Sequence, residues 1–582
     1  MTIQSFFKPK LTVSVLALVI ALYLTVVQNT TFFKAVFAAL NKTGHGNLPF
    51  ETAIYASLTL LFFLLLSLLA SIKPLFKPLL MVILVLAATI SFFMDTYGAV
   101  IDADMIQNLM QTDVNEAIEL FNLKLFLHIL FLGVLPAVWV CRTEIQYQPF
   151  WPEIMRRLLV IGIAAVLLAG TVFTYYKDFS FVLRNNHSLR YLINPNYPVY
   201  SFVKYLKGST QTQVTQVAGL GADAEENKTW QSRGRKSIVV IVVGETARAE
   251  NFSLNGYAQA TNPRLSKEDI INFPNTHSCG TATAVSLPCM FSNLKQSHYS
   301  DNDAKQSENL LDVLAHAGIS VLWKDNNSGC KGVCQRVATE NTEILNVPGL
   351  CAGGECYDEV MLQGMQSYFD KLNNDTVIVL HQKGSHGPAY YKRHPERFKV
   401  FQPECTNDQV QDCPQADIVN AYDNTILYTD YFLAEVIKLL KMNASKYNTA
   451  LFYMSDHGES LGENGIYLHG LPYSFAPEEQ KHIPFILWLS KDFSDSFGLD
   501  TACIKRQRTE AYTHDNLFHS VLGMLGIKTT AYQPDYDIFS NCHQAINSQA
   551  QHVTSVNSSG SLVGLKKTKD KSSTYSKLPR KG

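Results

Sequence analysis

The chain has 582 residues and a formal net charge of -1 at pH 7. Its length suggests about four domains, and so balanced a charge gives no support to nucleic-acid binding. Apolar residues crowd the first third, while the remainder reads like a water-soluble protein, so a wholly soluble chain is excluded.

Five apolar runs open the chain, at residues 11–27, 52–72, 78–94, 125–141 and 158–176. Each approaches the roughly 20 residues that cross a bilayer as a helix. The third and fourth are short and need tilt or flanking residues to complete the crossing. A cleaved signal peptide is rejected for the first run, because no small-residue cleavage site follows closely and four further runs come after it. Lys8 and Lys10 precede the first run, Lys73 and Lys77 lie between the second and third, and Arg142, Arg156 and Arg157 lie between the fourth and fifth. The loop between the third and fourth is acidic. Basic loops stay in the cytoplasm, so the N-terminus is expected inside and everything after the fifth span outside.

In that acidic outer loop a helix would carry Asn108, Thr112 and Glu116 on one face, since they are four apart. Such a stripe could hold a lipid head group. Taken alone, it reads more simply as the solvated face of an interfacial helix. Residues 177–206 are rich in Tyr and Phe, which favour the membrane–water interface, so this stretch is expected to lie along the membrane surface. Residues 208–236 are rich in Gly, Ser, Thr and Gln without hydrophobic period and read as a linker. The expected partition is therefore a five-span domain over 1–176, a bridging segment and linker over 177–236, and an outer domain over 237–545. From 546 to 582 the chain is Ser/Lys-rich and cannot form a core, so a disordered tail is expected there.

The outer domain opens on Ser237-Ile238-Val239-Val240-Ile241-Val242-Val243, a continuous β-branched run typical of a strand buried on both faces. Similar strands are expected at 319–323, 376–380 and 449–454, and a run at 483–489 that contains Pro484 is expected at a sheet edge. A helix is marked by Ile418, Tyr422, Ile426, Leu433, Ile437 and Leu440. Alternating strands and helices imply an α/β sandwich with a mainly parallel sheet, whose ligands gather at the carboxyl ends of the strands.

Ten of the eleven cysteines follow the apolar third and fall in order into pairs, which suggests five local disulfides in an oxidising compartment. Cys141 is left over. No Cys-x-x-Cys occurs, so cysteine-bound structural zinc fits poorly. Between Cys279 and Cys289 lies a short run of small and hydroxyl-bearing residues that includes Thr283. If the two cysteines pair, Thr283 sits in a closed loop and is aimed at little entropic cost. Three strands run into residues of chemical interest: one into Glu245, one into Asp456-His457, and one into His381 and then His386. A single carboxylate after a strand is ordinarily a helix-start residue, and Asp-His in a loop is ordinarily a turn. Together at one rim, two carboxylates, an imidazole and a threonine oxygen complete a tetrahedral site for zinc. A metal there would favour the Thr283 alkoxide and polarise a phosphoryl oxygen, the requirements of covalent phosphoryl transfer.

Val243-Gly244-Glu245-Thr246-Ala247-Arg248, the Cys279 to Cys289 loop, Asp325-Asn326-Asn327-Ser328, His386-Gly387-Pro388-Ala389-Tyr390, Asn420-Ala421-Tyr422-Asp423-Asn424 and Ser455-Asp456-His457-Gly458-Glu459 resemble the lipid A phosphoethanolamine transferases. That family includes the mobile colistin-resistance enzymes and belongs to the alkaline phosphatase-like superfamily. The resemblance covers residues 1–545. It implies a five-helix transmembrane bundle followed by an α/β alkaline phosphatase/sulfatase-like periplasmic domain in the bacterial inner membrane. It implies Thr283 as a nucleophile that carries phosphoethanolamine, and Glu245, Asp456, His457 and Thr283 itself as zinc ligands. His386 and His469 would hold the substrate phosphate or a second zinc, and Asn327 and Lys331 would line the substrate site. Asn108, Thr112 and Glu116 match lipid-donor contacts, which reverses the plainer reading of that stripe. The implied donor is phosphatidylethanolamine, the acceptor is lipid A, the consequence is polymyxin resistance, and the chain is expected to act as a monomer. The Ser/Lys-rich tail departs from the family pattern. Neighbouring motifs also suit a transferase that moves phosphoglycerol or modifies core sugar. A sulfatase is disfavoured, because no Cys/Ser-x-Pro-x-Arg sequence lies near Thr283. A membrane protein that merely binds anionic lipid would need neither zinc nor Thr283.

Overall fold

The structure is a computed structural model and describes residues 9–43, 47–112, 114–211, 217–227 and 234–543. The expected Ser/Lys-rich tail lies outside the described residues.

Apolar runs form the membrane helices α1 (Val13–Val27), α2 (Thr30–Thr43), α3 (Leu48–Leu69) and α4 (Lys73–Tyr97), the last of which carries Pro78 near its start. The short helices α5 (Ala103–Gln111) and α6 (Val114–Glu119) follow. Then come α7 (Leu123–Arg142) and α8 (Phe150–Thr174). Side-chain caps start several of them. Thr12 accepts from the Val15 amide, Asn47 from Phe50 and Asn122 from Leu125. Among the described residues four helices are long and apolar enough to cross a membrane, and the pair α1 and α2, bent by 59°, brings the number to five when it is counted as one span. The break holds Gln28 and Asn29. Asn29 Nδ2 donates to the Leu24 and Asn194 carbonyls at 2.9 and 2.7 Å, and Asn194 Nδ2 donates to the Gln28 and Ala87 carbonyls at 3.0 and 2.8 Å. Carbonyls freed by a break in a dry bundle need such partners. Helix α7 makes one π turn over Leu130–Val134, and Gln28 Nε2 takes up the Leu132 carbonyl at 3.0 Å.

Helices α9 (Tyr176–Asn185) and α10 (Asn196–Gln211) form the bridging segment. The linker expected over 208–236 is in part ordered structure. Helix α10 runs on to Gln211, Glu225–Glu226 pairs with Ile527–Lys528, and Ala218 bridges to Ser307. The reason is apolar: Ala224 is buried in the outer-domain core and Leu220 packs against it. Residues 212–216 and 228–233 of the linker lie outside the described residues.

Seven strands build the central sheet: β1 (Ser237–Gly244), β2 (Ile270–Asn272), β3 (Ser320–Asp325), β4 (Ala338–Asn341), β5 (Thr376–His381), β6 (Asn448–Ser455) and β7 (Phe485–Leu489). Their order across the sheet is β2-β7-β6-β1-β5-β3-β4. The five strands from β6 to β4 are parallel, and β7 and β2 are antiparallel to their neighbours. β1 shows why the sheet is buried on both faces. Ile238, Val240 and Val242 enter one core, and Val239, Ile241 and Val243 enter the other. Each such side chain contributes about 1.5–3 kcal/mol by leaving water. The predicted positions Ile418, Tyr422, Ile426, Leu433, Ile437 and Leu440 are buried along the inner face of α11 (Gln415–Asn443).

The run at 483–489 departs from expectation: β7 is an interior strand covered by β2, not an edge. Pro484 stands in the one-residue gap between the His482–Ile483 pairing and β7, so its missing amide removes no bond from the β7 ladder.

All five expected disulfides form: Cys279–Cys289, Cys330–Cys334, Cys351–Cys356, Cys405–Cys413 and Cys503–Cys542. The last closes a separation of 39 residues. Replacing both of its cysteines by serine is expected to lower stability by about 4 kcal/mol on the loop-closure scale, read as the guanidinium midpoint in detergent.

Candidate active site

The parallel strands end in register. His381 at the end of β5 pairs with Val243 of β1 and with Asp325 of β3, and Ser455 of β6 pairs with Gly244. Glu245, Asp456-His457, His381 and the Asp325-Asn326-Asn327 turn therefore leave the sheet at one rim. Thr283 reaches that rim from the side as the first residue of the Thr283–Met290 helix, inside the ring closed by Cys279–Cys289.

Thr283 is buried, and its Oγ1 lies 3.2 and 3.1 Å from the two Glu245 carboxylate oxygens and 3.3 Å from His457 Nε2. One ligand atom each from Glu245, Asp456 and His457 lies within 4.8 Å of the others. Every one of these side chains is set from behind. Asn327 Nδ2 donates to Glu245 Oε2 at 2.7 Å, and the Thr246 hydroxyl donates to Oε1 at 2.6 Å. The backbone amides of Thr246 and His457 donate to Asp456 Oδ1 at 3.1 and 2.7 Å. His457 Nδ1 lies 2.8 Å from the Gly458 carbonyl, so Nδ1 carries a proton, and in the neutral ring Nε2 faces Thr283 as a lone pair.

Burial opposes ionisation of Glu245. The His457 and His386 imidazoles and the Thr246 hydroxyl outweigh it and hold the carboxyl well below its usual range. Burial, then the Glu245 charge, pushes Asp456 up to about 7. Burial pulls His457 down, but the two carboxylates beside it leave it above its ordinary value. Two carboxylates crowded in a dry pocket are relieved either by a proton on one of them or by a cation between them.

His469 stacks on this centre, its ring centroid 4.4 Å from that of His457 and 5.3 Å from that of His386. Its Nδ1 lies 2.8 Å from Glu459 Oε2, and Tyr390 donates to Glu459 Oε1 at 2.6 Å. Burial raises Glu459 to about 8 and lowers His469 to about 3, so the pair is neutral near pH 7. Lys331 is placed one turn away. Its ammonium donates to the Ser328 carbonyl at 2.9 Å, to the Ser328 hydroxyl at 2.8 Å and to the Gln111 carbonyl at 3.1 Å.

Asn108, Thr112 and Glu116 do not share one continuous helix. α5 stops at Gln111, Thr112 is extended, and Glu116 belongs to α6. The Thr112 hydroxyl takes the Asn108 carbonyl at 2.8 Å and closes the helix end that a continuing backbone would have occupied. The Glu116 side chain lies outside the described residues. The member of α5 that reaches the Thr283 loop is Gln107, whose amide donates to the Ala284 carbonyl at 3.2 Å and also to Asp301. Its signal in the sequence was only its place beside Asn108. His514 carries no sequence signal, yet it joins two site loops. Its Nδ1 accepts from the Cys279 amide at 3.1 Å and its Nε2 lies 2.9 Å from the Ser455 carbonyl. Burial lowers it to about 4, so it works as a neutral ring.

Gly458 lets these loops close. A Cβ there would meet the Glu479 carbonyl oxygen at 2.1 Å. Gly458→Ala is expected to cost about 1–3 kcal/mol of stability. By shifting the adjoining His457, it should also lower bound metal per protein, measured by elemental analysis.

Residues 58–210 match the family model "Phosphoethanolamine transferase EptA/EptB", and residues 237–527 match the model "Sulfatase". Phosphoethanolamine transferase EptA of Escherichia coli K12 is 41% identical over 547 residues, covering 92% of this chain and 98% of that protein. The chain belongs to the EptA family of phosphoethanolamine transferases. Phosphatidylethanolamine transferase Mcr-1 of Escherichia coli is 38% identical over 82% of this chain and 90% of that protein. The integral membrane EptA of Neisseria meningitidis superposes with a TM-score of 0.87 at 36% identity, covering 92% of this chain and all of that one. This EptA-family chain is thus an integral membrane enzyme with an apolar helical N-terminal part and a sulfatase-like domain.

Proposed function

We propose that the chain moves phosphoethanolamine from phosphatidylethanolamine to a phosphate of lipid A through a covalent adduct on Thr283. The observation that carries this reading is the Thr283 hydroxyl, buried within 3.3 Å of Glu245 and His457. The phosphoethanolamine transferases that resemble it support the transferred group, and the Escherichia coli relative named Kdo(2)-lipid A phosphoethanolamine 7''-transferase, 25% identical, supports a lipid A-type acceptor.

The donor set fits zinc. Asp456 Oδ2 is buried and accepts no hydrogen bond among the described residues, and oxygen and imidazole ligands around one point suit that ion. Glu245, Asp456, His457 and Thr283 would hold it, and a second ion would fall to His386 and His469. When bound, zinc supplies positive charge that lowers the Thr283 hydroxyl pKa and polarises the phosphoryl oxygen.

In the first step the Thr283 hydroxyl loses its proton as its oxygen bonds to phosphorus, the bond from phosphorus to the glycerol oxygen breaks, and diacylglycerol leaves with a proton delivered to that oxygen. His469 hands its Nε2 proton to the leaving oxygen while its Nδ1 takes the proton held by Glu459, so the ring stays neutral throughout. In the second step a lipid A phosphate oxygen attacks the adduct, and the bond to Thr283 breaks. His386, Asn327 and Lys331 hold the substrate phosphate, and Asn108, Thr112 and Glu116 meet the donor lipid. The enzyme works as a monomer in the inner membrane with residues 237–545 in the periplasm. Capping an anionic phosphate with an amine weakens attraction for cationic peptides such as polymyxin.

Intact-protein mass spectrometry after incubation with phosphatidylethanolamine tests the scheme. One added phosphoethanolamine, mapped to Thr283, is expected. An unmodified threonine in an active, zinc-loaded preparation overturns it.

A further inference from the structure

The segment between α4 and α7 is tied to several loops of the active site. Gln107 bonds the Ala284 carbonyl next to Thr283, and the Gln111 carbonyl accepts from Lys331 on the Asn327-Ser328 turn. The third tie is an ion pair. Glu119, the last residue of α6, meets Arg393 of the outer domain at 2.8 Å, with side chains only 7% and 2% exposed. Lys392 adds a second contact to Glu119 at 3.2 Å.

Arg393 does more than neutralise Glu119. Its Nε donates to the His386 backbone carbonyl at 2.9 Å, its Nη1 to Glu355 at 2.9 Å and its Nη2 to Glu119 at 2.8 Å. A guanidinium is planar and rigid, so acceptors on its separate edges are fixed relative to one another. The chain from His386 to Arg393 is only seven residues long and folds back through the short helix Tyr390–Lys392. The His386 ring, in turn, packs edge-on against His469.

We propose that Arg393 is a positioning residue that registers His386 against the membrane-side helix α6, so that His386 stands beside His469 only while Glu119 is docked. This rests on the reading of His386 as a substrate-phosphate residue. Two features separate this role from plain domain cohesion. The bond to His386 is made by the same planar group that holds Glu119. Glu355 also keeps a second cation, Lys383 at 3.0 Å, and therefore does not depend on Arg393 for its own charge balance. A lysine at 393 would retain the charge but not the simultaneous bonds to carbonyl and carboxylates.

The test uses the full-length, zinc-loaded protein in detergent micelles containing phosphatidylethanolamine, with the rate of Thr283 adduct formation read by intact mass. Glu119→Gln leaves Arg393 paired with Glu355 and folds even if Arg393→Lys does not. At saturating lipid each variant is expected to slow adduct formation by about tenfold to a hundredfold, with KM nearly unchanged, as misplacement of a transition-state group predicts. In a His386→Ala background the same substitutions are expected to change the rate by less than about twofold, because residues that act through one another are not additive. Equal slowing in both backgrounds overturns the proposal and marks the pair as purely structural, and so does the absence of slowing in either variant. A His386→Ala protein that works at the wild-type rate removes His386 from the chemistry and takes the coupling with it, an outcome that differs from the first two in the single variant alone.

Discussion

Thr283→Ala is expected to lower transfer by at least about a thousandfold and to eliminate the covalent adduct, because removing a nucleophile removes the whole two-step route. The protein should still fold and hold metal. Alanine deletes one hydroxyl and one methyl from a residue already capped by the Cys279–Cys289 ring, and it leaves Glu245, Asp456 and His457 with their hydrogen bonds from Asn327, Thr246 and the backbone. Thr283→Ser keeps the oxygen and is expected to retain adduct formation. Turnover, intact mass and zinc content on the same preparations decide the point. Retained turnover in the alanine variant would mean that another group carries phosphoethanolamine.

The second large effect is the dependence on metal and on pH. Stripping the ion with a chelator is expected to abolish transfer, and zinc should restore it. Affinity should fall on the acid side, because Asp456 holds its proton up to about 7 in the ion-free pocket and a cation must displace it. With a proton released from Asp456 and, where the ring is protonated, another from His457, apparent affinity is expected to fall by at least about tenfold for each pH unit below 7. Folding stability runs in the opposite sense. A carboxyl raised above its unfolded value binds more protons in the folded state, so the ion-free protein loses stability as pH climbs from the unfolded carboxylate range to about 7. Asp456→Asn should therefore be more stable than the ion-free parent above pH 7 while binding no zinc. Calorimetric zinc titrations at pH 6 and 8, with melting curves of both apo proteins, check the two signs.

Five of the seven strands were easy to foresee; the short margins β2 and β4 and the ties between strands were not. β1, β5 and β6 are short continuous apolar runs, β-branched in the first two, and the residues that follow them belong to the site by sheet geometry alone: a parallel ladder in register brings its carboxyl ends together. Glu245, Asp456 and His457 were legible for that reason, and the cysteine order announced the ring around Thr283. Pro484 misled because a proline inside an apolar run suggests an exposed margin, whereas it falls between two pairings. The shared face of Asn108, Thr112 and Glu116 was drawn on an unbroken helix, whereas the backbone leaves the helix at Thr112, whose hydroxyl bonds the Asn108 carbonyl. His514, Gln107 and the Glu119–Arg393 pair leave no local mark. Each joins segments more than a hundred residues apart, and neither period nor composition encodes which distant partner a lone polar side chain will meet.

The amide exchange between Asn29 and Asn194 has a mechanical consequence. It joins the bridging segment to the kink in the first membrane crossing, with each asparagine donating to a backbone carbonyl of the other segment and the Asn194 amide donating to Asn29 Oδ1. Any swing of the catalytic part over the bilayer has to rupture that joint or be accommodated downstream of Asn194, which makes helix α10 the lever arm and the asparagine pair its anchored fulcrum.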